Sequence, residues 1–175
     1  MITNKNKSQE NIYFMKLALG QAKINLGTTK DNPSVGCIIV KNDNVISSGC
    51  TGIKGRPHAE QNAINSSKTD LKNSELYVTL EPCSHYGKTP PCVTSIIKSK
   101  IKKVIFSIKD PDPRSFDKCT KKLKNKGIIV INGVLKDKIK FFYSSYLKSR
   151  KNKLPFVTCK LAISKDFYTI NKKSK

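Results

Sequence analysis

The sequence predicts an α/β fold in one domain of ordinary size. Short apolar runs at residues 35–40, 76–80 and 128–131 read as buried strands. Helical spacing fills the stretches between them. The resulting order (helix, hairpin, helix, strand, helix, strand, helix, strand) is the alternation of an α/β sheet protein. Gly, Pro, Asn and Asp gather at the joints.

Each element has its own signal. Ser8 or Asn11 is expected to cap a first helix, because Ile12, Met15, Leu19, Ala22 and Leu26 recur at helical spacing and Gly27 supplies a stop. The turn Asp31-Asn32-Pro33-Ser34 leads into a strand at 35–40. Asn42-Asp43-Asn44 then turns the chain back into a strand at 45–49. Gly49, Gly52 and Gly55 make a loop that ends at Pro57, which suits a first helical turn, and a helix follows over 58–67. Residues 75–80 read as a strand that Pro82 stops. A polar loop at 84–91 precedes a helix at 92–98, a strand at 103–108 and the turn Asp110-Pro111-Asp112-Pro113. A basic helix at 115–126 closes at Gly127, followed by a strand at 128–131 and one helix over 136–150. Residues 156–162 read as one more strand and 171–175 as a frayed tail. The basic run 148–153 before Leu154-Pro155 marks a boundary, with a main domain over 1–150 and a short segment over 151–175.

The chain of 175 residues carries 34 Lys+Arg against 12 Asp+Glu, a net charge of +22. A charge of that size raises the question of a nucleic-acid partner. Two facts argue against one. Only three of the basic residues are arginine (Arg56, Arg114 and Arg150), and arginine is the residue that reads bases and phosphates bidentately. Lys, Asn and Ile together make up 64 of the 175 residues, and all three use A/T-rich codons, so base composition accounts for much of the lysine. The charge is also uneven, net +4 over residues 1–97 and net +18 over 98–175. No apolar run of about 18 residues is present, so no membrane span is expected. The N-terminus lacks the pattern of a secretory signal, so the expected location is the cytoplasm. There the six cysteines are expected to be reduced, available for metal ligation or burial rather than disulfides.

The chemistry concentrates in three short stretches. His58 opens a helix two residues before Glu60. Cys83 ends a strand, and Cys92 opens the next helix. One imidazole and two thiolates suit Zn²⁺, and three protein ligands leave the fourth position open, the catalytic rather than the structural arrangement. The helix start favours thiolate at Cys92. Glu60, one short turn from His58, is placed to take a proton from an activated water and return it to a leaving amine. H-x-E followed by P-C-x-x-C is the signature of zinc-dependent nucleobase deaminases. Here the halves are His58-Ala59-Glu60 and Pro82-Cys83-x₈-Cys92, with eight residues between the cysteines instead of two. H-x-E alone, or P-C alone, occurs often by chance; their joint placement at element ends of one domain is specific. Cys37, Cys50, Cys119 and Cys159 have no such partners and read as structural or incidental.

The stretch Tyr77-Val78-Thr79-Leu80-Glu81-Pro82-Cys83-Ser84-His85-Tyr86-Gly87-Lys88-Thr89-Pro90-Pro91-Cys92, with His58-Ala59-Glu60 and Asp110-Pro111-Asp112-Pro113, resembles the pyrimidine deaminase of riboflavin biosynthesis. That deaminase is usually the N-terminal half of a bifunctional deaminase/reductase, and the resemblance runs over about 13–166. It implies a three-layer α/β/α cytidine deaminase-like fold with a mixed five-stranded sheet, and one Zn²⁺ per chain. The implied reaction is hydrolytic deamination of 2,5-diamino-6-ribosylamino-4(3H)-pyrimidinone 5′-phosphate to 5-amino-6-(5-phosphoribosylamino)uracil. Glu60 is the implied catalytic residue, and His58, Cys83 and Cys92 are the implied metal ligands. Substrate contacts are implied for Asn32 at the pyrimidine, Lys88 at the phosphate, and Ala59, His85, Asp110 and Asp112. The family usually has His where Thr51 stands, D-P-N-P where Asp112 stands, and G-K-G where Asp117-Lys118-Cys119 stands. Residues 156–166 are similar to the first strand of the reductase half. The sequence then stops short of that domain, so no NADPH site is expected and a separate reductase is the expected partner. A homo-oligomer is expected from the same resemblance.

Two other readings compete. The net charge fits a tRNA or other nucleobase deaminase, but the eight-residue cysteine spacing opposes it. A non-catalytic zinc- or nucleic-acid-binding remnant is the second, and it predicts that loss of Glu60 changes nothing.

Overall fold

The computed structural model describes residues 4–115 and 118–169. The elements run α1 (Asn4–Ile24), β1 (Gly36–Lys41), β2 (Asn44–Cys50), α2 (Ala59–Ser66), β3 (Glu75–Leu80), α3 (Cys92–Lys98), β4 (Lys103–Ile108), α4 (Lys118–Lys124), β5 (Ile129–Asn132), α5 (Lys136–Phe142) and α6 (Ser144–Asn152). The sheet has the order β2-β1-β3-β4-β5. β1 is antiparallel to both β2 and β3, whereas β3, β4 and β5 are parallel. This is the mixed five-stranded sheet that the family resemblance implies.

Local chemistry explains the pairing. Asn42 (φ 49°) and Asp43 (φ 59°) are both left-handed, as the two central residues of a tight β1–β2 hairpin must be. β3-α3-β4 and β4-α4-β5 step in one direction across the sheet, so right-handed crossovers put α3 and α4 on one face.

Two glycines show how closely the layers approach. A Cβ on Gly36 would sit 1.9 Å from the Ala18 carbonyl oxygen of α1, and one on Gly49 would sit 2.5 Å from the Ala59 carbonyl oxygen of α2. Gly49 pairs with Cys37, the neighbour of Gly36, so the two glycines face opposite sides of the sheet. α1 therefore covers one face and α2 the other. The face of α1 also takes Tyr77, whose hydroxyl donates to Asn11 Oδ1 at 3.0 Å, and Thr79, whose hydroxyl bonds that of Tyr143 at the end of α5. The result is three layers, with α1 and α5 on one side and α2, α3 and α4 on the other. Met15, Ile39, Leu76, Ile96, Ile105 and Phe106 fill the two interiors without measurable exposure. Each such side chain contributes about 1.5–3 kcal/mol of burial.

Several boundaries differ from the sequence-based expectation. α1 begins at Asn4, upstream of Ser8 and Asn11, so neither caps it; a Lys7–Glu10 ion pair (2.9 Å) supports this added turn. α1 ends at Ile24, which leaves Leu26 exposed rather than on the core stripe. α2 begins at Ala59, with His58 as its extended cap (φ −70°, ψ 157°). The single helix expected over 136–150 is two helices. They break at Tyr143, whose buried hydroxyl is held by Thr79 and donates to the Ser34 carbonyl. The strand expected at 156–162 does not form. That stretch is exposed and, among the described residues, pairs with no strand; without a ladder partner its β-prone side chains cannot make one. α6 runs to Asn152. Residues 171–175 and the start of the helix expected at 115–126 fall on residues 116–117 and 170–175, outside the described residues. No described helix is long and apolar enough to cross a membrane.

Candidate active site

The sheet topology gathers the candidate residues at one edge. β1 is antiparallel to its neighbours, so its start lies beside the ends of β2, β3 and β4, as the pairings Gly36 with Cys50 and Leu80 with Ile108 show. The loops at 29–35, 51–58, 81–91 and 109–115 all leave this edge. A crevice outside strand ends, where connections diverge, is the usual ligand position of an open α/β sheet.

His58, Cys83 and Cys92 meet there. His58 Nδ1 lies 3.5 Å from Cys83 Sγ and 3.3 Å from Cys92 Sγ, and all the ligand atoms lie within 4.8 Å of one another. Tetrahedral zinc with an imidazole and thiolates separates N and S donors by roughly 3.5 Å. The donor set therefore fits Zn²⁺ in chemistry and in spacing. His58 is the cap of α2, and Cys92 is the first residue of α3. Cys83 arrives on the loop after β3, where its sulfur accepts the Cys92 backbone N–H at 3.2 Å.

Electrostatics within the cluster are strongly coupled. Hydrogen bonding from Cys92, and then from His58, pulls the Cys83 thiol down to about 4 against the cost of burial. The same interaction with Cys83, followed by burial, pushes Cys92 well up. The two sulfurs thus share one proton between them, and the pair readily gives up a proton to a metal. The hydrogen bond to Cys83 also raises His58. Glu60 lies in the first turn of α2 and is 4% exposed. Burial, and then the Cys83 charge, lift its carboxyl to about 7. A carboxyl poised near neutrality can both accept and give a proton.

A cavity of about 460 Å³ opens over this cluster, a volume suited to a small molecule. His58, Glu60, Cys83 and the buried Asp110 line it, with Asn32, His85 and Asp112 half-buried and Lys88 exposed at its edge. Asn32 donates through Nδ2 to the Gly55 carbonyl at 3.2 Å. His85 Nδ1 is 2.9 Å from the Ser115 hydroxyl, and Lys88 is exposed on its loop. Ala59 is apart from this group: its side chain is fully buried in the core, not on the cavity wall. Thr51 lines the cavity with a committed hydroxyl, which accepts the Val35 N–H at 2.9 Å and donates to the Pro33 carbonyl at 3.2 Å.

Cavity residues to which sequence reasoning gave no role include Arg56, Arg114, Tyr146, Arg150 and the buried Glu81. Arg114 grips Asp112 through Nε at 2.9 and 3.1 Å and through a terminal nitrogen, and so holds the Asp112 carboxyl down at about 2. Tyr146 donates to Asp110 Oδ1 at 3.0 Å, while burial raises Asp110. One sequence signal was available. Arginine is scarce in this lysine-rich chain, and all three arginines line this cavity.

Comparison with known proteins agrees with this picture. The profile of the cytidine and deoxycytidylate deaminase zinc-binding region matches residues 8–108. The riboflavin biosynthesis protein RibD of Haemophilus influenzae is 40% identical over 91% of this chain and 43% of its own length. The chain thus spans less than half the length of that relative. A diaminohydroxyphosphoribosylamino-pyrimidine deaminase of Buchnera aphidicola is 40% identical over 82% of this chain and 97% of its own length. The solved structure of Acinetobacter baumannii RibD superposes with a TM-score of 0.85 at 39% identity, covering 91% of this chain and 45% of that one.

Proposed function

Because this chain belongs to the zinc-binding cytidine and deoxycytidylate deaminase family, in the branch of the diaminohydroxyphosphoribosylaminopyrimidine deaminases, we propose that it hydrolytically deaminates 2,5-diamino-6-ribosylamino-4(3H)-pyrimidinone 5′-phosphate. The product is 5-amino-6-(5-phosphoribosylamino)uracil, and ammonia leaves. The observation that carries the reading is the buried Glu60 carboxyl at the inner end of a small-molecule cavity, beside a His/Cys/Cys donor set.

His58, Cys83 and Cys92 hold one Zn²⁺ per chain. Bound there, the metal supplies Lewis acidity that brings the pKa of a water to near 7. Glu60 takes a proton from the attacking water and delivers one to the departing amine, so one carboxyl serves both halves of the exchange. Asn32 meets the pyrimidine edge. Lys88 and His85 face the phosphorylated ribose, with His85 held against the 110–115 loop that carries Asp110 and Asp112. The Ala59 methyl is buried in the core, so a substrate contact there is assigned to its backbone. The enzyme acts in the cytoplasm as a homo-oligomer.

The test is ammonia release by the zinc-loaded protein from the diaminopyrimidinone ribosyl phosphate, beside cytidine, dCMP, guanine and tRNA. Turnover of the first substrate alone supports the proposal. Turnover of tRNA alone moves the chain to the competing nucleobase-deaminase reading.

A further inference from the structure

The cavity's outer wall carries information that the reaction itself does not use. Tyr146 and Arg150 lie one helical turn apart on α6 and line the same cavity as His58 and Glu60. Both fall outside residues 8–108, the span of the zinc-binding profile. We infer that α6 supplies the anion-recognising wall of this cavity, with Arg150, seated on the Tyr146 ring, as the specificity-determining residue for the phosphate of the substrate. This rests on the proposed function for the identity of that substrate.

The charges on the wall point to Arg150. Two carboxylates there would repel a phosphate if left bare, and neither is. Asp112 is held by the Arg114 fork. Asp110 Oδ1 accepts the Tyr146 hydroxyl at 3.0 Å and the Asp112 N–H at 3.1 Å. Arg114 is thereby committed, whereas Arg150 makes no ion pair within contact distance among the described residues and acts on the Asp110 carboxylate only through its charge at longer range. One of its terminal nitrogens donates to the Asp31 carbonyl at 3.0 Å, and its guanidinium carbon lies 5.6 Å from the Tyr146 ring centroid. These two contacts fix the plane of a group with five N–H donors and leave donors for a ligand.

The distribution of arginine supports the same conclusion. Of 34 basic residues, four line this cavity (Arg56, Lys88, Arg114 and Arg150), and they include every arginine in the chain. Random placement would achieve that less than about once in a thousand trials. Lysine supplies a point charge, whereas the arginine fork matches two oxygens of a phosphate at once. A chain otherwise dominated by lysine uses arginine where fork geometry matters.

The test compares kcat/KM for the phosphate ester with kcat/KM for the dephosphorylated riboside, in wild type, Arg150→Ala and Arg150→Lys. The ester-to-riboside ratio is expected to fall at least tenfold in Arg150→Ala, mainly through KM, and by a smaller factor in Arg150→Lys. A ratio within twofold of wild type in Arg150→Ala, with both substrates losing rate together, means that Arg150 merely staples α6 to the Asp31 loop, and overturns the inference. A binding measurement separates this claim from the function on which it rests. The zinc-loaded protein is titrated with ribose 5-phosphate and with ribose. The inference predicts preference for ribose 5-phosphate in wild type and at least fivefold weaker binding in Arg150→Ala. Binding of neither sugar, or equal Kd in both proteins, overturns it. Binding that depends on Arg150 without deamination of any pyrimidine would leave the anion wall standing and remove the proposed function.

Discussion

The inner and outer ends of the cavity follow different physics. The inner end, His58, Glu60 and Cys83 with the adjoining Cys92, is held by the starts of two helices and the loop after β3, and its groups shift one another's proton affinities through short contacts. It lies wholly within residues 8–108. The outer end, Arg56, Lys88, Arg114 and Arg150, sits on loops and on α6, with Lys88, Arg114 and Arg150 exposed, and two of its arginines lie beyond that span. On the proposed function, the inner end carries the chemistry and the outer end the choice of substrate. Damage to the inner end should therefore remove turnover, whereas damage to the outer end should redistribute it.

The largest expected effect is that of Glu60→Gln. The amide keeps the shape and cannot shuttle a proton, so kcat should fall on the order of 10²–10⁴. Zinc content, read by elemental analysis on the same sample, should stay at the wild-type level. Loss of zinc together with activity would make Glu60 a ligand instead. Next come the ligands themselves: His58→Ala or Cys83→Ser should abolish stoichiometric zinc and lower Tm, and a strong chelator should lower the wild-type Tm to the same extent.

Two glycine substitutions sharpen the contrast between stability and site geometry. A Cβ at Gly49 would strike backbone atoms of Ala59 and Ala63, at the start of the helix that carries His58 and Glu60. A Cβ at Gly36 would strike α1, on the far face of the sheet. Overpacking of this kind costs about 1–3 kcal/mol. Both Gly49→Ala and Gly36→Ala should lower the denaturant midpoint, and Gly49→Ala should lower kcat more per unit of stability lost. Equal effects on kcat would mean that α2 absorbs the push without moving the site.

The smallest effect is expected for Asp112→Asn. Arg114 is mostly exposed, so their ion pair contributes within about 1 kcal/mol. The Asp112 carboxyl is depressed in the folded protein, to about 2 against an ordinary 3.8. Its contribution is therefore present above pH 4 and lost as pH falls through 2. Stability curves of wild type and Asp112→Asn should differ at pH 6 and converge near pH 2. A gap that persists at pH 2 would assign the loss to something other than this pair.

Much of this was legible in the sequence, for identifiable reasons. β1, β3 and β4 are buried on both faces and so read as apolar runs. The zinc ligands and Glu60 announce themselves by short spacing within stretches whose ends the strand and helix signals place. What stayed illegible depends on contacts distant in the chain. The break between α5 and α6 at Tyr143 follows from hydrogen bonds to Ser34 and Thr79. Arg150 enters the cavity wall by bonding a carbonyl 119 positions away. Residues 156–162 carry β-prone side chains, but a strand also needs a partner, which no local pattern supplies. Asp112 looked like an amide replaced by a charge; only the structure shows Arg114, two residues on, wrapped around that charge.

Zinc-dependent deamination through Glu60, the work proposed for the inner end of the cavity, is open to direct measurement. The most direct test measures ammonia released from 2,5-diamino-6-ribosylamino-4(3H)-pyrimidinone 5′-phosphate by purified protein carrying one zinc per chain, with Glu60→Gln alongside. Multiple turnovers by wild type, lost in the zinc-loaded variant, are the predicted result. A wild-type protein that holds its zinc and releases no ammonia would contradict the account.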